Sequence, residues 1–265
     1  MKTKWLLIVS LFVLSCSNNP ITGRKQLLLV SNEQMLQLST DEYSQFLTEN
    51  KGKVITSGAD AEMVRSVGSR IANAVEQYMS QNGLADRIKD YKWEFNLVKD
   101  SAVNAWCMPG GKVVVYTGLL PVTKNETALA VVLGHEISHA VANHGNERMS
   151  SQMLEQLGLS ALDAAMASKP QQTRNIFEGA IGMGAEIGIM LPFSRKQESE
   201  ADRMGLIFMA MANYDPHEAL NFWKRMAEQS QGSPPEFLST HPSDQTRIND
   251  IEKKYLPEAL KYYKK

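Results

Sequence analysis

The sequence predicts an α+β fold in which helices predominate. Apolar residues recur every three or four positions in residues 32–50 and 60–80, a spacing typical of amphipathic helices. Residues 93–98 and 112–117 instead show the alternation or the β-branched run of strands. Because hydrophobic residues make up 43% of the chain, we expect these elements to enclose a buried core.

The N-terminus precedes these elements and has the pattern of an export signal. Basic residues Lys2 and Lys4 are followed by an apolar run that ends at Leu14 and is too short to span a bilayer as a helix. The tetrapeptide VLSC, which ends at Cys16, resembles a bacterial lipobox, in which the cysteine becomes the lipidated first residue of the exported chain. We therefore predict a signal peptide at residues 1–15 and lipidation of Cys16. An ordinary secretory signal or an uncleaved anchor is the alternative.

Turn-forming residues and a short basic patch follow, so residues 16–30 are predicted to form a tether that leads into a single domain, residues 31–265. An exported chain of about 250 residues is long enough for one core. The net charge is −1, with 28 basic and 29 acidic residues, which gives no electrostatic basis for nucleic-acid binding. If Cys16 carries lipid, Cys107 is left as a single thiol, which cannot form an intrachain disulfide.

The two strand-type stretches are followed by a long apolar helix. A Pro-Gly-Gly sequence at residues 109–111 predicts a turn between two strands. Thr123 is the predicted N-cap of the helix, with Glu126 as the reciprocal residue of a capping box. Since small and branched apolar residues then continue to Gly134, we expect this helix to be buried.

The helix ends in GHEISHAVANHG, which has the pattern of a metal site. His135 and His139 are four residues apart and share one helical face, so both imidazoles can bind one ion. Glu136 projects from an adjacent face and can act as a general base towards water without binding the ion, as in zinc hydrolases with an HExxH pattern. The alternative is a chance match, but burying these three side chains without a metal would be costly. We predict His135 and His139 as zinc ligands and Glu136 as the catalytic base.

His144 follows nine residues after His135, on the opposite side of a continuing helix. We therefore expect it to be a structural residue or to support a ligand rather than to bind the metal.

A third ligand is expected in residues 194–202, SRKQESEAD, at the start of a further helix. Glu198 and Asp202 lie four apart on one face, so that Glu198 can bind the metal while Asp202 accepts a hydrogen bond from a ligand histidine. Glu200 points roughly the other way and is predicted to be a solvated charge. Spacing alone leaves an ordinary acidic helix start as an equal alternative.

Two other regions remain open to more than one interpretation. Residues 150–190 are rich in Met, Ala and Gly, which suggests close helix packing or a mobile, lid-like segment. Their acidic residues Glu178 and Glu186 argue against a membrane span. The tail from residue 216 onward is predicted to be helical, with breaks at residues 233–235 and at His241, which precedes a proline.

HEISH, followed by Glu198 within ESEAD, resembles peptidase family M48, the HtpX and CAAX prenyl protease type of zinc metallopeptidase, and most of all its periplasmic lipoproteins. The resemblance extends to PITGRKQL, NAWCMPGGKVVVYTGLL, SRKQESEADRMG and STHPSDQTRI. It implies a mainly helical zincin-type domain with a small mixed β-sheet, whose edge strand flanks the active-site cleft. It also implies one Zn²⁺ per chain, Glu198 as the third ligand and Asp202 as the residue that supports a ligand.

The same resemblance assigns further roles. Asn104 and Ala105 would lie beside the groove that receives substrate as an added strand. His241 would lie near the metal, either to stabilise the oxyanion of the transition state or to occupy the open zinc position at rest. Arg247 could pair with a carboxylate such as Asp202. Cys107 is expected near the groove, as a buried residue or as an oxidation-sensitive thiol.

The resulting hypothesis is a zinc endopeptidase that cleaves unfolded or misfolded cell-envelope polypeptides. Ser17 after the lipidated cysteine favours an outer-membrane anchor with the domain on the periplasmic side, and the outer-membrane assembly machinery is a possible partner. The rival hypothesis is a non-proteolytic chaperone or assembly factor with a structural or self-inhibited zinc site.

Overall fold

The computed structural model describes residues 16–19, 21–153, 194–229, 236–241 and 245–264. The strands are β1 (Cys16–Asn18), β2 (Lys25–Leu27), β3 (Val54–Ile55), β4 (Glu94–Val98), β5 (Ala105–Met108) and β6 (Lys112–Tyr116). The helices are α1 (Asn32–Glu49), α2 (Ala59–Gln81), α3 (Leu120–Thr123), α4 (Glu126–Val141), α5 (residues 144–153), α6 (Arg195–Met211), α7 (Glu218–Gln229), α8 (Glu236–Thr240), α9 (Gln245–Asp250) and α10 (Leu256–Ala259). Helices therefore predominate, and the predicted α+β class is confirmed.

The larger sheet is mixed and has the strand order β3-β4-β6-β5. Strand β4 runs parallel to β6, whereas the pairs β3–β4 and β5–β6 are antiparallel. The predicted Pro-Gly-Gly turn joins β5 to β6, and β5 was not recognised as a strand from its residues. Strand β5 ends the strand order and packs against α4, so one outer strand of the sheet lies beside the predicted metal-binding helix.

Both faces of this sheet are covered, because its strands are apolar on both sides. Val113 and Val115 of β6 face a core shared with α2, α4 and α6. Val114 of the same strand faces a second core that contains Met35 of α1 and Met149 of α5. The sheet is thus a middle layer between two helical layers, as expected for strands that read as continuous apolar runs.

The two helices that carry the metal-site motifs begin differently from each other. Helix α6 begins where a helix start was predicted, and the structure shows Ser194 as its N-cap with Gln197 completing a capping box. Helix α4 does not begin at Thr123, which belongs to the short helix α3. Lys124, in the left-handed conformation with a φ of 66°, ends α3. Asn125 is the N-cap of α4, and its side chain accepts a hydrogen bond from the Ala128 N–H.

Helices α4 and α6 approach each other closely at Gly134 and Gly205. A Cβ atom on Gly205 would lie 2.9 Å from the backbone carbon of Gly134 and from the backbone nitrogen of His135. A Cβ atom on Gly134 would meet the Gly205 carbonyl oxygen at 2.9 Å. The two glycines therefore permit backbone contact next to the HEISH motif, which brings the ligand residues of both helices together.

The N-terminal segment, residues 16–30, was predicted to be a tether, but it packs on the domain. Strands β1 and β2 pair in a two-stranded antiparallel sheet. Gln26 is buried, and its amide donates a hydrogen bond to the Ala142 carbonyl. The turn between the strands contains polar residues that reach buried carboxylates, so the segment is fixed by specific contacts rather than extended in solvent.

Among the described residues, no helix combines the length and the apolar composition needed to cross a bilayer. The predicted signal peptide at residues 1–15 and most of the Met-, Ala- and Gly-rich region, residues 154–193, lie outside the described residues.

Candidate metal centre

Four buried side chains direct ligand atoms towards one point. They come from three separate parts of the chain: His135 and His139 from α4, Glu198 from the first turn of α6, and His241 from the residue after α8. One ligand atom from each lies within 4.8 Å of all the others. The structure thus brings together the three predicted ligands and adds the histidine that was expected near the metal.

The distances within this group fit a tetrahedral zinc site. The Nε2 atoms of His135 and His139 are 3.0 Å apart; the former lies 3.5 Å from Oε2 of Glu198 and the latter 3.4 Å from Oε1. Zinc bonds of about 2.0–2.2 Å in a tetrahedron separate neighbouring ligand atoms by about 3.3 Å. The two imidazoles and the carboxylate therefore have the spacing and the chemistry of a zinc ligand set.

The fourth member of the group is His241. Its Nδ1 atom lies 3.2 Å from Nε2 of His135 and 3.0 Å from Oε1 of Glu198. Its ring packs against Phe237 of α8, with the ring centroids 4.6 Å apart. The imidazole is therefore held where a fourth ligand would be, and not only near the metal site.

Glu136 lies beside the ligand group without joining it. It is only 3% exposed, and its Oε1 atom has no hydrogen-bond partner among the described residues. Nε2 of His241 lies 3.4 Å from that oxygen. Burial raises the pKa of Glu136, although the nearby histidines act in the opposite direction. An unpaired buried carboxylate oxygen of this kind is able to accept a proton from water.

Asp202 and Arg247 support the first ligand. Oδ1 of Asp202 lies 3.0 Å from Nδ1 of His135, which places the His135 proton on Nδ1 and directs Nε2 to the ligand group. Arg247 donates two hydrogen bonds to the Asp202 carboxylate, at 2.8 and 2.7 Å, and a third to Oε2 of Glu198, at 2.9 Å. The Arg247 guanidinium also lies over the Trp223 ring, 3.3 Å from its centroid. Arg247 therefore orients both the supporting carboxylate of Asp202 and the ligand carboxylate of Glu198.

His144 contacts the second ligand. Its Nδ1 lies 2.9 Å from Nδ1 of His139, and its Nε2 lies 3.1 Å from Oε2 of Glu200. His144 is not on the opposite side of a continuing helix: α4 ends at Val141, and Asn143, with a φ of 56°, turns the chain back before α5 begins. His144 is not a member of the ligand group but contacts one of its members, as expected for a residue that supports a ligand.

The prediction that Glu200 is a solvated charge is wrong. Glu200 is 6% exposed and accepts hydrogen bonds from His144, Thr22 and Arg24. The side of α6 opposite to Glu198 is covered by the N-terminal segment, which was predicted to be a tether.

Asn104 and Ala105 lie where β5 begins, beside α4. Oδ1 of Asn104 accepts a hydrogen bond from the Ala105 N–H, and its amide donates to Glu236 of α8 at 3.1 Å. The Phe237 N–H of α8 donates to the Val103 carbonyl just before the strand. Helix α8 therefore contacts the start of the outer strand, and the residue after it reaches the ligand group.

Cys107 is a buried thiol in β5. Burial raises its pKa well above the usual value, and the negative charge of nearby Glu136 acts in the same direction. Cys107 is not part of the ligand group, and a protonated buried thiol reacts slowly with oxidants. The interpretation as a buried core residue therefore fits the structure better than an oxidation-sensitive site.

Several residues of the site were not found from the sequence. Trp223 and Phe237 read as ordinary core residues, and nothing in their spacing connects them to the metal-binding helix. Arg24 lies in PITGRKQL, one of the stretches that carried the family resemblance. The presence of an arginine in such a stretch could have indicated a role for it at the site. His217, which received no predicted role, is exposed and contacts Asp215.

Comparison with known proteins gives one family and a consistent group of relatives. The model of Peptidase family M48 matches residues 66–255. The chain is 33% identical over 242 residues to the mitochondrial metalloendopeptidase OMA1 of Schizosaccharomyces pombe, covering 91% of this chain and 66% of that protein. It is 32% identical over 262 residues to the mitochondrial metalloendopeptidase OMA1 of Homo sapiens, covering 97% of this chain and 49% of that protein.

A bacterial relative is the beta-barrel assembly-enhancing protease of Escherichia coli, which is 33% identical over 186 residues, 66% of this chain and 37% of that protein. The chain thus spans about two thirds of the Schizosaccharomyces pombe protein, about half of the human one, and less of the bacterial one.

Proposed function

The chain belongs to peptidase family M48, and we propose that it is a zinc-dependent endopeptidase. The observation that carries the proposal is the convergence of His135, His139 and Glu198 at tetrahedral spacing, with Glu136 beside them. The relatives named as metalloendopeptidases and proteases support the same activity. The ligand residues would hold one zinc ion, which would supply Lewis acidity to activate water and polarise the scissile carbonyl.

Glu136 is the proposed general base. Its unpaired Oε1 takes a proton from water, and the same atom can return that proton to the leaving amine. Its raised pKa favours this step, because a carboxylate whose pKa is raised is a stronger base towards water. Asp202 and Arg247 act as positioning residues, since they fix the His135 ring and the Glu198 carboxylate.

The proposed substrates are unfolded or misfolded polypeptides of the cell envelope. Strand β5 is the outer strand beside α4, and an extended chain can add to such a strand through main-chain hydrogen bonds. Asn104 and Ala105, at the start of β5, would contact that chain. Recognition of main chain selects extended segments over folded surfaces, which supports a role in removing damaged proteins.

The proposed location is the periplasmic side of the outer membrane, with lipid on Cys16. The VLSC sequence after the apolar run supports lipidation. The name of the bacterial relative, a beta-barrel assembly-enhancing protease, supports a link with the outer-membrane assembly machinery as partner.

A second candidate function is favoured by the position of His241. An imidazole held among the ligand atoms would complete a four-residue zinc site, which is the pattern of structural zinc. In that case the chain would be a non-proteolytic chaperone or assembly factor with a structural or self-inhibited zinc site. The unpaired Oε1 of Glu136 favours the peptidase, because a structural site has no use for it.

The deciding experiment compares the full chain with its Glu136→Gln variant in zinc content and in cleavage of an unfolded protein such as casein. Glu126→Gln is the matched control, because Glu126 is exposed on the first turn of the same helix. We expect all three proteins to bind zinc and Glu136→Gln alone to lose cleavage, by about a hundredfold or more. Equal cleavage by the Glu136→Gln variant would exclude Glu136 as the base. A zinc-loaded parent chain that cleaves nothing, even when His241 is replaced by alanine, would favour the second candidate.

A further inference from the structure

The turn between β1 and β2 reaches a carboxylate on the far side of α6 from the ligand group. Thr22 Oγ1 donates a 2.5 Å hydrogen bond to Oε1 of Glu200. Arg24 donates to both oxygens of Glu200, from Nε at 2.9 Å and from Nη2 at 2.8 Å. Its guanidinium also binds both oxygens of Glu147, at 2.6 and 2.7 Å. A fork shared by two carboxylates is a geometry that arginine supplies and lysine does not.

These contacts determine which atom of His144 carries the proton. Oε2 of Glu200 also lies 3.1 Å from Nε2 of His144. Thr22 and Arg24 are the donors to Glu200, so the carboxylate acts as an acceptor at both oxygens. A carboxylate that is ionised and acts only as an acceptor requires the proton at Nε2 of His144.

The proton on His144 determines in turn the proton on His139. His144 is fully buried, and the proton on its Nε2 points to Glu200, so that Nδ1 is the ring nitrogen that accepts. That atom lies 2.9 Å from Nδ1 of His139, which must then be the donor. A proton on Nδ1 of His139 leaves the lone pair on Nε2, the atom that lies in the ligand group.

We propose that Thr22 and Arg24 are positioning residues of the metal site, which act through Glu200 and His144 to orient His139 and to fix its tautomer. His135 receives the same support directly from Asp202. Helix α6 therefore provides, in addition to its own ligand Glu198, one supporting carboxylate for each of the two ligand histidines of α4: Asp202 directly for His135, and Glu200 through His144 for His139. The N-terminal segment is a functional part of the site, although it lies about 110 residues or more before the ligands in sequence.

The inference rests on the zinc site of the proposed function, and its test measures zinc binding rather than cleavage. The full chain is compared with its Arg24→Ala, Arg24→Lys and Thr22→Val variants. Zinc affinity is measured by competition with a chromophoric chelator, and the visible absorption spectrum of the Co²⁺-loaded protein reports the ligand geometry. Arg203→Ala is the matched control. Arg203 lies on the same helix as Glu200, α6, but it pairs with Glu258 of α10 through two hydrogen bonds, at 2.7 and 2.9 Å.

We expect Arg24→Ala to weaken zinc binding about tenfold to a hundredfold and to shift the cobalt spectrum. Thr22→Val, which replaces one hydroxyl group by a methyl group, should change the zinc affinity and the cobalt spectrum in the same direction but by less. Arg24→Lys should bind zinc more tightly than Arg24→Ala but less tightly than the parent. Arg203→Ala should match the parent. Far-UV circular dichroism of the metal-free proteins checks that each variant is folded, and Thr22→Val decides alone if Arg24→Ala does not fold.

Parent-like zinc affinity and cobalt spectra in folded Arg24→Ala and Thr22→Val would overturn this inference and leave the proposed function untouched. An equal loss of affinity in Arg203→Ala would also overturn it, because the effect would then reflect general destabilisation. A parent chain that binds no zinc would overturn the inference and the proposed function together.

Discussion

The Nδ1 atom of His241 lies 3.0 Å from Oε1 of Glu198, within the group of ligand atoms. The other ring nitrogen of His241 lies 3.4 Å from Oε1 of Glu136. One imidazole therefore stands between the ligand carboxylate and the proposed base, in the space that a water or a scissile carbonyl would need. Of the two roles expected for His241, this geometry favours the one in which it occupies the open zinc position at rest.

Replacing His241 by alanine should therefore increase cleavage of an unfolded protein. If the open state is a minor population of about 10% or less, removal of the imidazole raises the competent fraction by about tenfold or more. The measurement is the initial cleavage rate of zinc-loaded His241→Ala, with His217→Ala, a change at an exposed histidine, as the control. A variant that keeps its zinc but loses cleavage would show that His241 stabilises the transition state instead.

The parts of the site that were predictable from the sequence are local in the chain. His135 and His139, or Glu198 and Asp202, are related by one helical turn, so the spacing of residue types is sufficient to place them on one face. The relation between the two pairs was supplied by the family resemblance, because periodicity does not reveal which helices cross. The crossing itself depends on Gly134 and Gly205, whose role is visible only when both backbones are in place.

The errors arose where the chain changes direction or where a distant segment covers a surface. His144 was placed by extending α4, but Asn143 turns the chain back towards His139. Glu200 was judged solvated from its helical face, but its partner Thr22 is 178 residues away in sequence. Neither the His144–His139 contact nor the Glu200–Thr22 contact produces a recognisable pattern in the nearby sequence. Helical spacing alone therefore placed Glu200 in solvent, whereas it is buried.

Gly205→Ala should weaken both folding and zinc binding. The added methyl group would lie 2.9 Å from backbone atoms of Gly134 and His135, and backbone cannot move aside as a flexible side chain can. Overpacking of this kind costs about 1–3 kcal/mol in the free energy of unfolding. Chemical denaturation of the metal-free chain and chelator competition measure the two effects. Gly52→Ala is the control, since its Cβ would meet nothing within 4 Å. Unchanged stability and zinc affinity would show that α4 and α6 can move apart to accommodate the methyl group without loss of free energy.

Acid should remove the stability that Glu200 contributes. Its contacts with His144, Arg24 and Thr22 outweigh the effect of burial and lower its pKa to about 2, against about 4.3 for an unfolded glutamate. Because the folded pKa is the lower one, this contribution is present above about pH 4.3 and is lost as the pH falls towards 2. The difference in Tm between the metal-free parent and Glu200→Gln should therefore shrink over this range. The exposed Glu33→Gln change serves as control, and a difference that stays constant would contradict the assignment.

Cys107 should be unreactive in the folded protein. Its thiol is buried and its pKa is raised, so that little thiolate is present at neutral pH. We expect iodoacetamide to modify Cys107 only after unfolding, as followed by mass spectrometry with and without urea. Zinc content and cleavage should be the same before and after treatment of the native protein. Rapid modification under native conditions, accompanied by loss of cleavage, would restore the interpretation as an oxidation-sensitive residue.

Cys16→Ser should release the protein from the membrane. An acyl chain contributes about 0.8 kcal/mol per buried CH₂ group to membrane binding, and the serine hydroxyl cannot carry the thioether-linked lipid. After expression in a bacterium with a lipoprotein pathway, we expect the parent in the membrane fraction and the variant in the soluble fraction. Cys107→Ala is the control for loss of a cysteine and should stay with the membrane. If Cys16→Ser sediments with the membrane as the parent does, and the parent carries no added lipid mass, an uncleaved apolar anchor replaces lipidation as the explanation.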